Sequence, residues 1–164
     1  MGCGKTTVGK LLAERLELPF VDLDDIITER TGQTVNELFQ QHGEFDFRAC
    51  EAQVLRDMPR RFHESVLACG GGTPLHFDNI DFLNQHYLTI FLDIDAEHLI
   101  ARLEGQRDHR PLLKRDDWQQ FLQQLIEERR TAYERAEVTV EVMNGDSQAA
   151  TESILEALPQ LTGH

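Results

Sequence analysis

The chain has 164 residues, of which 40% are hydrophobic, and a formal net charge of −13. That length suits one domain with its own core and is short for two. The charge disfavours polyanions, so no nucleic-acid or membrane partner is expected, though a few arginines in one cleft still admit a small anionic substrate.

The chain opens on Gly2-Cys3-Gly4-Lys5-Thr6-Thr7, and a helix is predicted from Lys5 to Leu16 with Val8, Leu11, Leu12 and Leu16 on one face. Phe20–Leu23 reads as a short strand ending in acids. Helical patterns follow over Asp25–Arg30, Val35–Gln41 and Phe47–Phe62. Ser65–Cys69 reads as a buried strand running into Gly70-Gly71-Gly72, and a helix is predicted around Asp78–Gln85. Tyr87–Leu92 is the strongest strand pattern, Ala96–Leu103 is helical, and Glu104–Asp117 is charged and poor in apolar pattern. A long helix at Trp118–Ala136, a strand at Val138–Val142 and a helix at Gln148–Leu158 close the chain. Four short apolar strands separated by helices indicate βαβ units, a parallel sheet and α/β class, with the site at the strands' carboxyl ends.

Small residues at Gly2-Cys3-Gly4 let backbone N–H groups close around phosphate oxygens, and the helix start adds positive character. Lys5 supplies a point charge for the β- and γ-phosphates, and the Thr6 hydroxyl can hold Mg²⁺. The stretch is the second half of GxxxxGK[ST]. The pattern's first Gly would lie two residues before Met1, and the strand that precedes such a loop, central in its sheet, is likewise outside the chain. The expectation is a polypeptide that begins roughly ten residues earlier.

Asp22 and Asp24 follow the first strand pattern, and strand alternation would set them on one side. One can bind Mg²⁺, directly or through water, and the other can accept a proton from, or orient, an attacking hydroxyl. Asp25 reads as a helix-start acid only. Three successive glycines at 70–72 suit a close ligand approach. Arg48, Arg110 and Arg129 carry forks that match carboxylates and phosphates. The stretch at 104–117 reads as a lid that excludes water. The cysteines, Cys3, Cys50 and Cys69, lack CxxC spacing, so reduced thiols are expected, and the seven histidines lack HExxH spacing, so no zinc site is expected. With no signal pattern or long apolar run, a cytoplasmic protein is expected.

Together, GCGKTTVGK, the Asp22/Asp24 pair in FVDLDDII, Arg30-Thr31-Gly32, GEFDFR, GGGT, RPLL and ERRTAY closely resemble the shikimate kinase family, in its order and from Gly2 to Ala136. The resemblance implies a P-loop kinase of nucleoside-monophosphate-kinase type. Its five-stranded parallel sheet would be flanked by helices, and its first, central strand would be missing from this chain. It implies a single kinase domain over 1–164, with a substrate-binding region near 24–62 and a lid near 104–117. The implied reaction takes ATP and shikimate to ADP and shikimate 3-phosphate, a step of aromatic amino-acid biosynthesis, with Mg²⁺ and in a monomer. Gly2, Cys3, Gly4, Lys5, Thr6 and Thr7 would hold the nucleotide, Arg102 would stack near adenine, and Thr6 and Asp22 would hold Mg²⁺. Asp24, Lys5 and Arg110 would be catalytic, Arg110 meeting the transferring phosphoryl group. Arg48 and Arg129 would clamp the shikimate carboxylate, Asp24 would bind the ring hydroxyls, and Gly70, Gly71 and Gly72 would line the pocket. The family's Pro-Leu-Tyr is here Thr131-Ala132-Tyr133, and Arg130 beside Arg129 leaves two registers for the clamp. The alternative readings are another small-molecule kinase, such as a gluconate kinase, and a non-catalytic ATP-binding protein.

Overall fold

A computed structural model describes residues 2–105, 115–142 and 146–161, the last three through their backbone only. The chain divides into two compact units, one of Met1–Val8 with Ile90–His164, the other of Gly9–Thr89. Helix α1, Lys5–Leu16, begins in the first and ends in the second.

The Gly9–Thr89 unit is built on two parallel strands, β1 (Phe20–Asp22) and β2 (Val66–Ala68), in the register Phe20↔Val66 to Asp22↔Ala68. Helix α2 (Leu23–Thr31) starts directly after β1, because the Asp22 side chain accepts the Asp24 N–H as an N-cap. Helix α3 spans Val35–Arg61 and starts on a capping box between Thr34 and Glu37. The two helical segments expected here are found within this span, parted by a kink at Gly43, where φ is 80° and ψ 174°. Beyond that break Phe47, Glu51, Val54, Leu55 and Met58 form a buried stripe, the spacing a helix needs to cover a core. Its apolar members, Phe47, Val54, Leu55 and Met58, pack with Val21, Leu23, Ile26, Ile27, Leu38 and Leu83. A 3₁₀ turn at Thr73–Leu75 and helix α4 (Asn79–His86) complete the unit.

In the other unit β3 (Ile90–Asp93) and β4 (Val138–Glu141) pair in parallel, Ile90↔Val138 through Asp93↔Glu141. The expected strand start at Tyr87 is not found, because the Tyr87 N–H bonds the Leu83 carbonyl and finishes α4. Helix α5 (Ala96–Glu104) is capped by Asp95, whose side chain accepts the His98 N–H at 2.9 Å. Helices α6 (Trp118–Tyr133) and α7 (Ser147–Leu161) follow. Val8, Leu92, Ile94, Leu99, Leu103, Trp118, Leu122, Val140, Val142, Ala150 and Ile154 are this unit's buried apolar residues among those described. All four strands read from the sequence are therefore present, as two parallel pairs among the described residues.

Candidate active site

The phosphate-loop residues sit at the start of α1. Gly2 and Gly4 have φ of 78° and 95°, backbone that side chains rarely adopt. Gly2 also has no room for one, since a Cβ would lie 2.7 Å from Leu103 Cδ2 on α5. The Val8 N–H reaches the Gly4 carbonyl at 2.9 Å, so the helix takes hold at the loop itself. The earlier N–H groups of such a start point outward, toward where an anion binds. Lys5 is half-buried and Thr6 and Thr7 are exposed. Lys5 Nζ meets Cys3 Sγ at 3.9 Å, a weak contact that leaves its charge for a phosphate. Arg102 comes to the same place, its Nη1 3.4 Å from where a Gly4 Cβ would be and Ser147 Oγ equally near. That Nη1 is buried without a hydrogen-bond partner among the described residues, a donor that lacks an acceptor.

The Gly9–Thr89 unit gathers the other candidate residues. A Cβ on Gly70 would lie 3.3 Å from Thr73 Oγ1, 3.4 Å from Glu51 Oε1 and 3.6 Å from Asp24 Oδ1. Arg48, 8% exposed, lies under Gly72 so closely that a Cβ there would meet its Nη2 at 2.1 Å. Its guanidinium stacks over the Phe39 and Phe47 rings at 5.5 and 5.0 Å. Glu51, fully buried, divides its oxygens: Oε2 accepts from Arg48 Nη1 at 2.8 Å and Oε1 from Thr73 Oγ1 at 2.7 Å. Asn79 Nδ2 donates to the Thr73 carbonyl at 2.9 Å, and Arg56 Nη1 to Asn79 Oδ1 at 2.7 Å. Buried polar groups chained as Arg48, Glu51, Thr73 and Asn79 are hold one another in a single arrangement. Asp24, Arg48 and the glycine loop are thus brought together around Glu51 and Thr73, which the sequence reading missed. The signal for Glu51 was there: an acid inside the apolar stripe of α3, three residues after Arg48, demands a buried cation.

Asp22 and Asp24 do not alternate along a strand as expected. The helix begins between them, so Asp22 caps it while Asp24 stands in its first turn, the two linked by a 3.1 Å bond from the Asp24 N–H to Asp22 Oδ1. Asp25, exposed on that turn, has the helix-start role expected of it.

Arg130 grips Asp93 with both terminal nitrogens, at 3.0 and 2.9 Å. The bonds and the charge of Asp93 hold the Arg130 guanidinium above its ordinary pKa, with Glu134 adding to them. Arg129, half-buried one position earlier, has no ion-pair partner among the described residues. Of the two neighbouring arginines, Arg130 is the one tied to acids among the described residues. Arg110 and most of the 104–117 stretch, including RPLL, lie outside the described residues.

A family model described as shikimate kinase matches residues 1–159. A shikimate kinase of Bacteroides fragilis is 42% identical over 139 residues, 83% of this chain and 77% of that protein. The crystal structure of shikimate kinase from Bacteroides thetaiotaomicron matches with a TM-score of 0.83 and 34% identity, covering 100% of this chain and 94% of that one. Shikimate kinase from Acinetobacter baumannii, solved in complex with shikimate, matches with a TM-score of 0.87 and 33% identity, covering 99% and 90%. The α/β kinase fold expected from the sequence, parallel strands flanked by helices, is the one these structures share with it.

Proposed function

We propose that this chain, which belongs to the shikimate kinase family, transfers the γ-phosphoryl group of ATP to the 3-hydroxyl of shikimate, giving ADP and shikimate 3-phosphate. The observation that carries the reading is the Arg48 fork, buried beneath Gly72 and held by Glu51, with Asp24 Oδ1 close to Gly70 in the same unit. A fixed guanidinium suits a carboxylate, and a nearby acid suits a hydroxyl.

Phosphoryl transfer asks for alignment and charge neutralisation rather than covalent help from the protein. The amides from Gly2 to Thr7 cradle the phosphates, and Lys5 draws charge from the β- and γ-positions. Asp24 orients the acceptor hydroxyl in line and takes its proton. Arg48 and Arg129 hold the acceptor's carboxylate, while Gly70, Gly71 and Gly72 allow the ring close to the backbone. Arg102, with its unsatisfied donor beside Gly4, contacts the nucleotide at its adenine end. Arg110, in a lid at 104–117, stabilises the transferring oxygens and shuts out water.

Thr6 and Asp22 would hold Mg²⁺ that enters with the nucleotide. Each is an oxygen donor of the kind Mg²⁺ takes, one or two at a time, before it completes its shell with phosphates and water. Bound there, it would offset phosphate charge. We read the chain as a single kinase domain with residues 24–62 as acceptor-binding region, acting as a monomer in the cytoplasm on the route to aromatic amino acids. No described helix is long and apolar enough to cross a membrane.

The test is ADP release coupled to a reporter reaction, with shikimate and gluconate supplied in parallel. Release that depends on shikimate and not on gluconate is expected. ATP binding with no shikimate-dependent release would overturn the catalytic reading in favour of a nucleotide-binding protein.

A further inference from the structure

Arg48 faces two carboxylates of its own chain. Its Nη1 donates to Glu51 at 2.8 Å, and its Nε lies 3.5 Å from Glu44 Oε1. That second contact is ionic only, because Nε is buried with no hydrogen-bond acceptor among the described residues. The two acids differ in their hold. The Glu51 side chain is 1% exposed and bonded through both oxygens, whereas that of Glu44 is 62% exposed. Glu44 also follows Gly43, the one non-helical residue inside α3, around which a Cβ would meet nothing within 4 Å.

We propose that Glu44 is an internal stand-in for the acceptor's carboxylate, neutralising Arg48 in the empty protein and giving way when the acid arrives. The inference rests on the reading of Arg48 as the carboxylate clamp. Its argument is charge. Glu44 and Glu51 already face Arg48, so an arriving carboxylate makes a third claim on the same guanidinium. Glu44 is the group that leaves, since its exposed carboxylate regains water, whereas Glu51 would be stranded as a buried unpaired charge. The incoming carboxylate also gives Arg48 Nε–H the acceptor that Glu44 does not supply. An acid at the start of a helical segment has a simpler reason to exist, the helix dipole. That role affects melting and is blind to the acceptor's charge.

Calorimetric titration with shikimate and with its neutral methyl ester, into the wild-type, Glu44→Gln, Glu44→Ala and Arg48→Lys proteins, separates these readings. Both Glu44 variants are expected to bind shikimate about two- to fivefold more tightly, the range for one partly exposed ion pair, and to bind the ester as wild type does. Arg48→Lys, which keeps a cation for Glu51, is expected to weaken shikimate more than the ester. Unchanged or weaker shikimate binding by both Glu44 variants, or equal tightening of acid and ester, overturns the stand-in. A wild-type protein that binds no shikimate, or whose preference for the acid survives Arg48→Lys, overturns the clamp reading instead.

Discussion

Replacing Gly72 by alanine adds one methyl group at a place where none fits. Its carbon would lie 2.1 Å from Arg48 Nη2, 2.5 Å from Cζ and 2.8 Å from Nη1, against 3.4 Å for ordinary contact. The guanidinium or the loop must therefore give way by on the order of 1 Å. Arg48 has little freedom to do so, being 8% exposed, bonded to Glu51 at 2.8 Å and stacked on Phe39 and Phe47. Loss of a charged hydrogen bond costs about 1.5–3 kcal/mol, which is roughly 10- to 100-fold in an equilibrium. The shikimate KM of Gly72→Ala is accordingly expected to rise by about that factor, with kcat falling less, because a carboxylate remote from the reacting hydroxyl contributes mostly uniform binding. The KM for ATP should stay near wild type, since the phosphate loop lies outside this network. The assay is steady-state ADP release over a shikimate series at saturating ATP, with a thermal melt alongside. A shikimate KM within about twofold of wild type, with an unchanged melt, would refute the placement of Arg48 under the glycine loop.

Asp24→Asn should lower kcat by about 10²–10⁴, the range for a lost general base; a smaller drop at saturating shikimate would leave Asp24 as a binding group. Arg129→Ala should raise the shikimate KM, whereas Arg130→Ala, which breaks the pair with Asp93, should mainly lower the melting temperature; the reverse pattern would assign the clamp to Arg130. The Tyr87 hydroxyl is buried without a hydrogen-bond partner among the described residues, and burial, then nearby Cys69, pushes it up to about 12. Its unfolded value is about 10, so the folded state keeps the proton longer, and folding loses stability as pH rises from about 10 to about 12. Tyr87→Phe should therefore hold its stability better in urea melts as pH rises through that window, and at pH 7 should match or exceed wild type; a clear loss at neutral pH would show that the hydroxyl has a partner.

The phosphate loop was legible because its chemistry is local: small residues, a lysine and a helix start lie consecutively in the chain. Asp24, Arg48 and the glycine loop could be named singly for the same reason. What joins them could not, since Glu51 meets Thr73 twenty-two residues away and only folding brings them together. The helix start at Leu23 escaped notice because Asp22 serves two possible roles, strand end and N-cap, and the bond to the Asp24 N–H decides between them. The break at Gly43 was visible as a gap between two helical patterns, though not its form. The strand expected from Tyr87 shows the opposite weakness: apolar alternation ran past its true start, because α4 claimed the Tyr87 amide first.

Side by side in the chain, Arg129 and Arg130 look like duplicates. Successive helical residues point about 100° apart, and Arg130 is tied to both oxygens of Asp93. A helix moored at that point cannot roll to offer one neighbour in place of the other. In the proposed clamp, loss of the cation at 129 thus has no understudy, and the freedom of position 130 to vary is linked to that of position 93.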